Sequence, residues 1–180
     1  MPGDGGGGES PRHHGLPPIA RRDARLLVLG SLPGAASLRA ERYYAHPRNA
    51  FWPLMSGVVG RDLVALGYAD RLAALAAARV ALWDVVASAR RRGSLDAALR
   101  EVSANPLAAF VATLPHLRAI AFNGATAARI GRTALAGTAL APGTLALLDL
   151  PSSSPAHAAM PFAEKVARWR VLGEYLAPAP

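Results

Sequence analysis

The sequence contains no cysteine and only one lysine, Lys165. Without cysteine the chain forms neither disulfides nor thiolate-ligated zinc or iron–sulfur sites, and such a composition is typical of a reducing compartment. We therefore expect a protein of the bacterial cytoplasm. The formal net charge of +8 resides almost entirely on arginine. Arginine binds phosphate through a planar fork, which favours a nucleic-acid partner, although a GC-rich genome also replaces lysine by arginine.

Long uninterrupted hydrophobic runs are also missing. The apolar stretch at 72–89 is broken by charged residues, and the stretch at 134–150 is broken by a Pro-Gly pair. Neither stretch has the length of a membrane span, so we expect no membrane partner.

The start of the chain is rich in glycine and proline and has no apolar segment of the signal-peptide or anchor kind. Segments of this composition do not bury enough apolar surface to fold. We therefore expect a disordered head over residues 1–20, a single domain over 21–176, and a short tail over 177–180.

Four short, continuous apolar runs have the composition of strands that are buried on both faces. They span 25–30, 79–85, 118–123 and 144–150. Between them lie segments with helical patterns and caps, and alternation of strands with helices predicts a parallel sheet covered by helices on both faces. The predicted helices span 49–59, 68–78, 94–102, 105–114, 124–135 and 161–176.

Polar clusters follow each of the four predicted strands. They are "GSLPG" at 30–34, Asp84, "FNG" at 122–124 and "PSSSPAH" at 151–157. The carboxyl ends of parallel strands meet at one edge of the sheet, and ligands bind in the crevice there. Such residues also make ordinary turns, but four polar clusters at one edge favour a binding site.

The first cluster matches none of the common catalytic loops. It has neither the dinucleotide-binding spacing, nor the Walker lysine, nor the nucleophile elbow. A serine hydrolase built from Ser31, Asp84 or Asp149, and His157 is therefore a weak alternative. No two histidines have the spacing of metal ligands, so we expect no metal and no cofactor.

The stretch "YYAHPRNAFW", residues 43–52, combines aromatic rings with hydrogen-bonding groups. Either Tyr43 or Tyr44 could provide a flat face for an extruded base. Arg48 could hold a phosphate and Asn49 could position a water molecule. His46 either fixes the loop or acts in catalysis, and the last two rings are expected in the core.

Taken in order, "GSLPG", "YYAHPRNAFW", "ALWDV", "FNG" and "LPSSSPAH" resemble the motifs of the uracil-DNA glycosylase superfamily. The resemblance covers roughly residues 25–172 and is greatest for the hypoxanthine-DNA (deoxyinosine) glycosylase branch, while "AHPRNAFW" is also similar to mismatch-specific uracil/thymine glycosylases. It implies a three-layer α/β/α sandwich that flips a deaminated base out of double-stranded DNA and hydrolyses its N-glycosidic bond. The alternatives are a uracil or G·U/G·T mismatch glycosylase and a non-catalytic module that binds nucleotides or DNA ends.

The resemblance also implies roles for individual residues. Ser31 stands where related uracil enzymes often carry the Asp or Asn that holds the attacking water, and in the deoxyinosine branch Asn49 inherits that role. Ser152 stands where many relatives carry a residue that stabilises the departing base, so that function is left unassigned. We expect base contacts from Tyr44, Asp84, Leu32 and Asn123, and DNA contacts from Arg48, Ser152, Ser153, Ser154, Pro155 and His157.

Three further expectations concern charge and assembly. An ionised Asp84 could accept the N1–H of hypoxanthine and repel the N1 acceptor of adenine. Lys165 lies far along the chain from every motif, which predicts a monofunctional glycosylase without a lysine nucleophile. We also expect a monomer. The arginines at 90–92 either contact phosphates or terminate a solvated helix.

Overall fold

The computed structural model describes residues 10–138 and 145–177, which form seven strands and seven α-helices. The strands are β1 (Arg12–His14), β2 (Leu26–Gly30), β3 (Val80–Asp84), β4 (Val86–Arg90), β5 (Arg100–Ala104), β6 (Ala119–Asn123) and β7 (Ala146–Leu150). The α-helices are α1 (Ala35–Ala40), α2 (Phe51–Val59), α3 (Tyr68–Ala77), α4 (Leu107–Ala112), α5 (Ala125–Leu135), α6 (Phe162–Trp169) and α7 (Gly173–Leu176).

The predicted four-stranded parallel sheet is confirmed, with strand order β3-β2-β6-β7. Every residue of β2, β3 and β6 is buried, which explains why these runs are apolar without alternation. Residue 144, where the fourth run was predicted to begin, lies outside the described residues. Strand β3 lies on one side of β2, whereas β6 lies on its other side. The strand order therefore switches direction between β2 and β6.

The two faces of the sheet bury separate apolar clusters, which makes the fold a three-layer α/β/α sandwich. Leu27, Leu29 and Phe122 face one cluster, which includes residues of α4 and α5. Leu26 and Val28 face the other cluster, to which α2, α3 and α6 contribute. Successive strand residues therefore supply both cores, as the alternation of side chains along a strand requires.

The helix predicted at 94–102 is wrong. A 3-10 turn, Asp96–Ala98, is followed by β5, all of whose residues are exposed. The chain continues from β3 through Val85 into β4, and β4 offers β5 an antiparallel partner for its backbone. A helix here would need an apolar face to bury, yet Leu95 and Val102 remain 58% and 42% exposed.

The disordered head predicted for residues 1–20 is wrong where the structure describes it, from residue 10 onward. Strand β1 pairs with β4, which completes a small antiparallel sheet of order β1-β4-β5. Ile19 then exchanges two backbone hydrogen bonds with Leu82 on β3. This bridge covers part of an open sheet edge, which would otherwise be available for pairing with another chain.

No helix in the described parts of the chain is both long and apolar enough to cross a membrane.

Candidate active site

The loops at the carboxyl ends of the parallel strands enclose a cleft of about 460 Å³, a volume typical of small-ligand sites. It is lined by the first loop, 30–34, by residues from the ends of β3 and β6, and by residues 152–157 of the serine loop, 151–157. Of the predicted site residues, Arg48 alone does not line it. The cleft therefore brings together Ser31, Leu32, Tyr44, Asn49, Asp84, Asn123, Ser152, Ser153, Ser154, Pro155 and His157.

Asp84 lies at the end of β3, directly opposite Gly30 of β2 in the register of the sheet. Its side chain is 3% exposed, and its Oδ2 atom is buried without a hydrogen-bond partner. Burial raises the pKa of this carboxyl well above its ordinary value; Asp96 raises it further and Arg91 opposes the shift. This shift favours the neutral acid over the carboxylate, in contrast to the ionised group expected from the sequence.

Tyr44, rather than Tyr43, is the aromatic residue whose ring is available for stacking in the cleft. Tyr43 is 3% exposed and donates its hydroxyl to Pro17 O at 2.9 Å, so it belongs to the core. Tyr44 stacks on Phe51 with ring centroids 3.7 Å apart, and its hydroxyl accepts from Asn123 Nδ2. Its φ of 52° lies in the left-handed region, a strained conformation for tyrosine of the kind concentrated at functional sites.

The segment between Tyr44 and α2 is held by local hydrogen bonds. Asn49 Oδ1 accepts from Phe51 N at 3.0 Å, and His46 Nδ1 accepts from Arg48 N at 3.1 Å. His46 therefore fixes this loop, which is one of the two roles considered from the sequence. Arg48 is exposed outside the cleft lining, where a phosphate could reach it.

The serine loop is anchored from two sides. Ser153 Oγ accepts from Asn123 Nδ2, and Ser153 N donates to Asn123 Oδ1, each at 2.8 Å. Lys165 Nζ donates to the carbonyls of Ser152 and His157 at 2.8 and 2.7 Å. Ser153 is only 1% exposed and joins the loop to β6, so its role as a DNA contact stays a prediction.

Sequence reasoning missed the carboxylate nearest to Ser31. Ser31 Oγ lies 2.7 Å from both carboxylate oxygens of Asp96, to which it donates. Asp96 also lines the cleft, and it comes from the 3-10 turn that was predicted to be helical. Burial raises the pKa of Asp96, while the bond from Ser31 and the charge of Arg91 lower it.

Arg91 was expected either at a phosphate or at a solvated helix end, and both expectations are wrong. It is 1% exposed and donates its guanidinium N–H groups to the carbonyls of Leu32 and Pro33. Leu32 itself is 5% exposed and packs against the core while it also lines the cleft. Arg91 therefore holds the first loop from below, and no local sequence signal distinguished it from its neighbours.

The serine hydrolase alternative finds no support in this geometry. Ser31 donates to Asp96, not to a histidine. Asp149 forms an ion pair with Arg132 of α5 at 3.0 Å and does not line the cleft. His157 is exposed at the rim, and its carbonyl accepts from Lys165.

The fold is an α/β domain in which the cleft lies at the switch of strand order. In solved structures, the chain matches the solution NMR structure of a proposed uracil DNA glycosylase from Methanosarcina acetivorans, with a TM-score of 0.80 and 30% identity over 92% of this chain and 99% of that one. The family model described as the uracil DNA glycosylase superfamily matches residues 17–173. The chain belongs to this superfamily.

Two curated relatives are named hypoxanthine DNA glycosylase. The protein from Methanosarcina barkeri is 36% identical over 113 residues, which are 63% of this chain and 72% of the relative. The protein from Methanosarcina acetivorans is 36% identical over 110 residues, which are 61% of this chain and 70% of the relative.

Proposed function

We propose that this protein is a monofunctional DNA glycosylase that flips hypoxanthine, from deoxyinosine, out of double-stranded DNA and hydrolyses its N-glycosidic bond. The observation that carries the proposal is one cleft that joins a stacking ring, a buried carboxyl and an amide able to orient water. The names of the two curated relatives support the choice of base.

Base recognition is assigned to Asp84 and Tyr44. A neutral carboxylic acid presents one donor and one acceptor side by side. Hypoxanthine offers the complementary pair, N1–H and O6, so both polar atoms of the base would be satisfied. The free Oδ2 of Asp84 supports this role, because a buried oxygen without a partner is costly until a ligand binds it.

The neutral acid changes the expected basis of discrimination. It does not repel the N1 atom of adenine by charge, since its hydroxyl could donate to that atom. Selectivity against adenine would then come mainly from flipping, which costs a few kcal/mol and is easier for a weakly paired base. Inosine pairs imperfectly with thymine, so it leaves the stack more readily than adenine.

Tyr44 would stack one face of its ring on the flipped base while Phe51 supports the other. Burial raises the pKa of the Tyr44 hydroxyl, which stays protonated and able to donate. The left-handed backbone of Tyr44 supports a pre-formed platform, because loop and core together impose this orientation before DNA binds.

We assign the positioning of the attacking water to Asn49 and the DNA contacts to residues at the rim of the cleft. The bond from Phe51 N fixes the amide of Asn49 at the cleft wall. Arg48 and the exposed part of the serine loop would contact phosphates, with Pro155 and His157 at the tip. Lys165 is engaged by two carbonyls behind the loop, which supports hydrolysis by water instead of a lysine nucleophile.

The proposal is tested by single-turnover excision on a duplex that contains one deoxyinosine, with wild type, Asn49→Ala and Arg48→Ala compared. Asn49→Ala should slow excision at saturating enzyme by about 100-fold or more, since water is no longer oriented. It should also lower the unfolding free energy by about 1 kcal/mol through the lost hydrogen bond from Phe51 N. Arg48→Ala should weaken DNA binding with little change in the saturated rate.

The same panel should include uracil and thymine mispairs, because these bases also place an N–H beside a carbonyl. Faster release of uracil than of hypoxanthine would move the assignment to the uracil or mismatch alternative. Binding of DNA without release of any free base would overturn the enzymatic assignment.

A further inference from the structure

In glycosidic hydrolysis the attacking water loses a proton, and an amide cannot accept this proton near neutral pH. Asn49 orients a water molecule without accepting its proton. Within the lining of the cleft, the carboxylates are Asp84 and Asp96. Asp84 is 3% exposed and favours the neutral form, whereas Asp96 is partly exposed. Asp96 is therefore the carboxylate of the lining that water can reach.

We propose that Asp96 is the proton acceptor for the attacking water, and that Ser31 relays the proton to it. This inference rests on the proposed glycosylase function. Ser31 Oγ lies 2.7 Å from both carboxylate oxygens and donates its proton to Asp96, which leaves its lone pairs free to accept from water. General-base assistance of this kind contributes about 10²- to 10⁴-fold to a rate.

The position of Ser31 along the chain puts the relay beside the base-binding groups. The preceding residue, Gly30, faces Asp84 Oδ1 and the hydroxyl of Tyr44 so closely that even a methyl group would contact both. Consecutive Cα atoms are about 3.8 Å apart. A base held at Asp84 would therefore have its sugar next to Ser31, within the reach of one water molecule.

The relay is held in place by the elements that sequence reasoning missed. The carbonyls of Gly30 and Ser31 accept from Val85 N and Val86 N at 2.8 and 3.0 Å. Arg91 at the end of β4 donates to the next two carbonyls of the loop. The small antiparallel sheet therefore holds the first loop through the segment around β4, and the turn between β4 and β5 carries Asp96.

The step balances in atoms and electrons. The water oxygen forms a bond to C1′ as the bond from C1′ to N9 of hypoxanthine breaks, and that electron pair leaves with the base. One water proton passes to Ser31 as the hydroxyl proton of Ser31 passes to Asp96. Asp96 then releases the proton to solvent, and the departing base takes up one proton from solvent.

The test is a pH profile of single-turnover excision for wild type and Asp96→Asn, an isosteric change that retains a partner for Ser31. The proposal predicts a loss of about 10²- to 10⁴-fold at the optimum, with unchanged DNA affinity and melting temperature. The wild-type rate should fall as the pH drops through the raised pKa of Asp96, because only the ionised form accepts a proton. That acid limb should disappear in Asp96→Asn.

The charged and titratable groups around Asp96 are Arg91, Asp84 and Tyr44, and Asp84 is the other carboxyl among them. An acid limb that persists in Asp96→Asn would show that a group other than Asp96 controls it and would overturn the proposal. Full activity of Asp96→Asn would overturn it as well.

A double-mutant cycle tests the relay itself. Ser31→Ala should also slow excision, and the double variant with Asp96→Asn should be little slower than Asp96→Asn alone, since both remove one path. Multiplicative losses would refute the relay. A wild-type enzyme that releases no base from inosine, uracil or thymine substrates would instead reject the proposed function, and the two failures are thus distinguishable.

Discussion

Replacement of Gly30 by alanine tests whether the carboxyl of Asp84 must stay where the sheet register places it. The added Cβ would lie 2.6 Å from Asp84 Oδ1 and 3.2 Å from the hydroxyl of Tyr44. Ordinary contact begins at 3.4 Å, so the carboxyl must retreat by about 0.8 Å. Asp84 has little room to do so, because it is 3% exposed.

A displacement near 1 Å in a positioned group can reduce a rate by about 100-fold. We therefore expect Gly30→Ala to slow hypoxanthine excision by roughly that factor at saturating enzyme. The strain of an extra methyl in a packed site should lower the unfolding free energy by about 1–3 kcal/mol. The variant should still fold, so that excision and melting can be measured on the same sample.

Gly34→Ala is the matched control from the same loop. Its Cβ would lie 3.6 Å from Ser94 Oγ and 3.7 Å from Ser94 Cβ, which is ordinary contact, and its φ of −66° suits any residue. It should excise at nearly the wild-type rate. Equal rates for Gly30→Ala and wild type, or an equal loss in both variants, would refute the assignment of Asp84 to the base.

Two other predictions concern stability and the serine loop. Gly131→Ala would press a methyl group against Phe122 Cδ1 at 2.9 Å and should destabilise the fold by about 1–3 kcal/mol. Gly57 is exposed on α2 and its added methyl would have nothing within 4 Å, so Gly57→Ala should stabilise the fold by about 0.5–1 kcal/mol. Thermal melts should shift in opposite directions by about 2–4 °C per kcal/mol, and shifts of one sign would contradict the packing. Lys165→Met should loosen the serine loop, lowering the unfolding free energy by about 1.5–3 kcal/mol and weakening DNA binding, while unchanged melting and affinity would exclude this role.

The Asp96 proposal also changes the chemistry expected from the first loop. Ser31, next to the first glycine, has no carboxylate of its own that could activate water. The contact between Ser31 and Asp96 places a carboxylate there from a segment 65 residues further along the chain. The sequence gave no indication of this role for Asp96, because the spacing of residues along the chain does not reveal which contacts the β4–β5 hairpin makes.

The parallel sheet could be predicted because its strands are buried on both faces, so each appears as a short apolar run with a polar turn after it. Their shared direction then brought the polar turns to one edge, which is why Ser31, Asp84 and Asn123 could be grouped before any coordinates were known. The aromatic and amide residues of 43–52 carried the family resemblance because they form one short contiguous motif.

Only the tertiary structure decided which of these groups face the ligand and which hold the loops. Arg91 and Ser153 were candidates for DNA contacts from the sequence, yet both are buried. Arg91 is bonded to the first loop, and Ser153 is bonded to Asn123 of β6. The exposed strand β5 pairs through its backbone, which any sequence can do, so its pattern did not reveal it. The protonation of Asp84 likewise depends on burial and on Asp96, quantities that arise only when separate segments pack together.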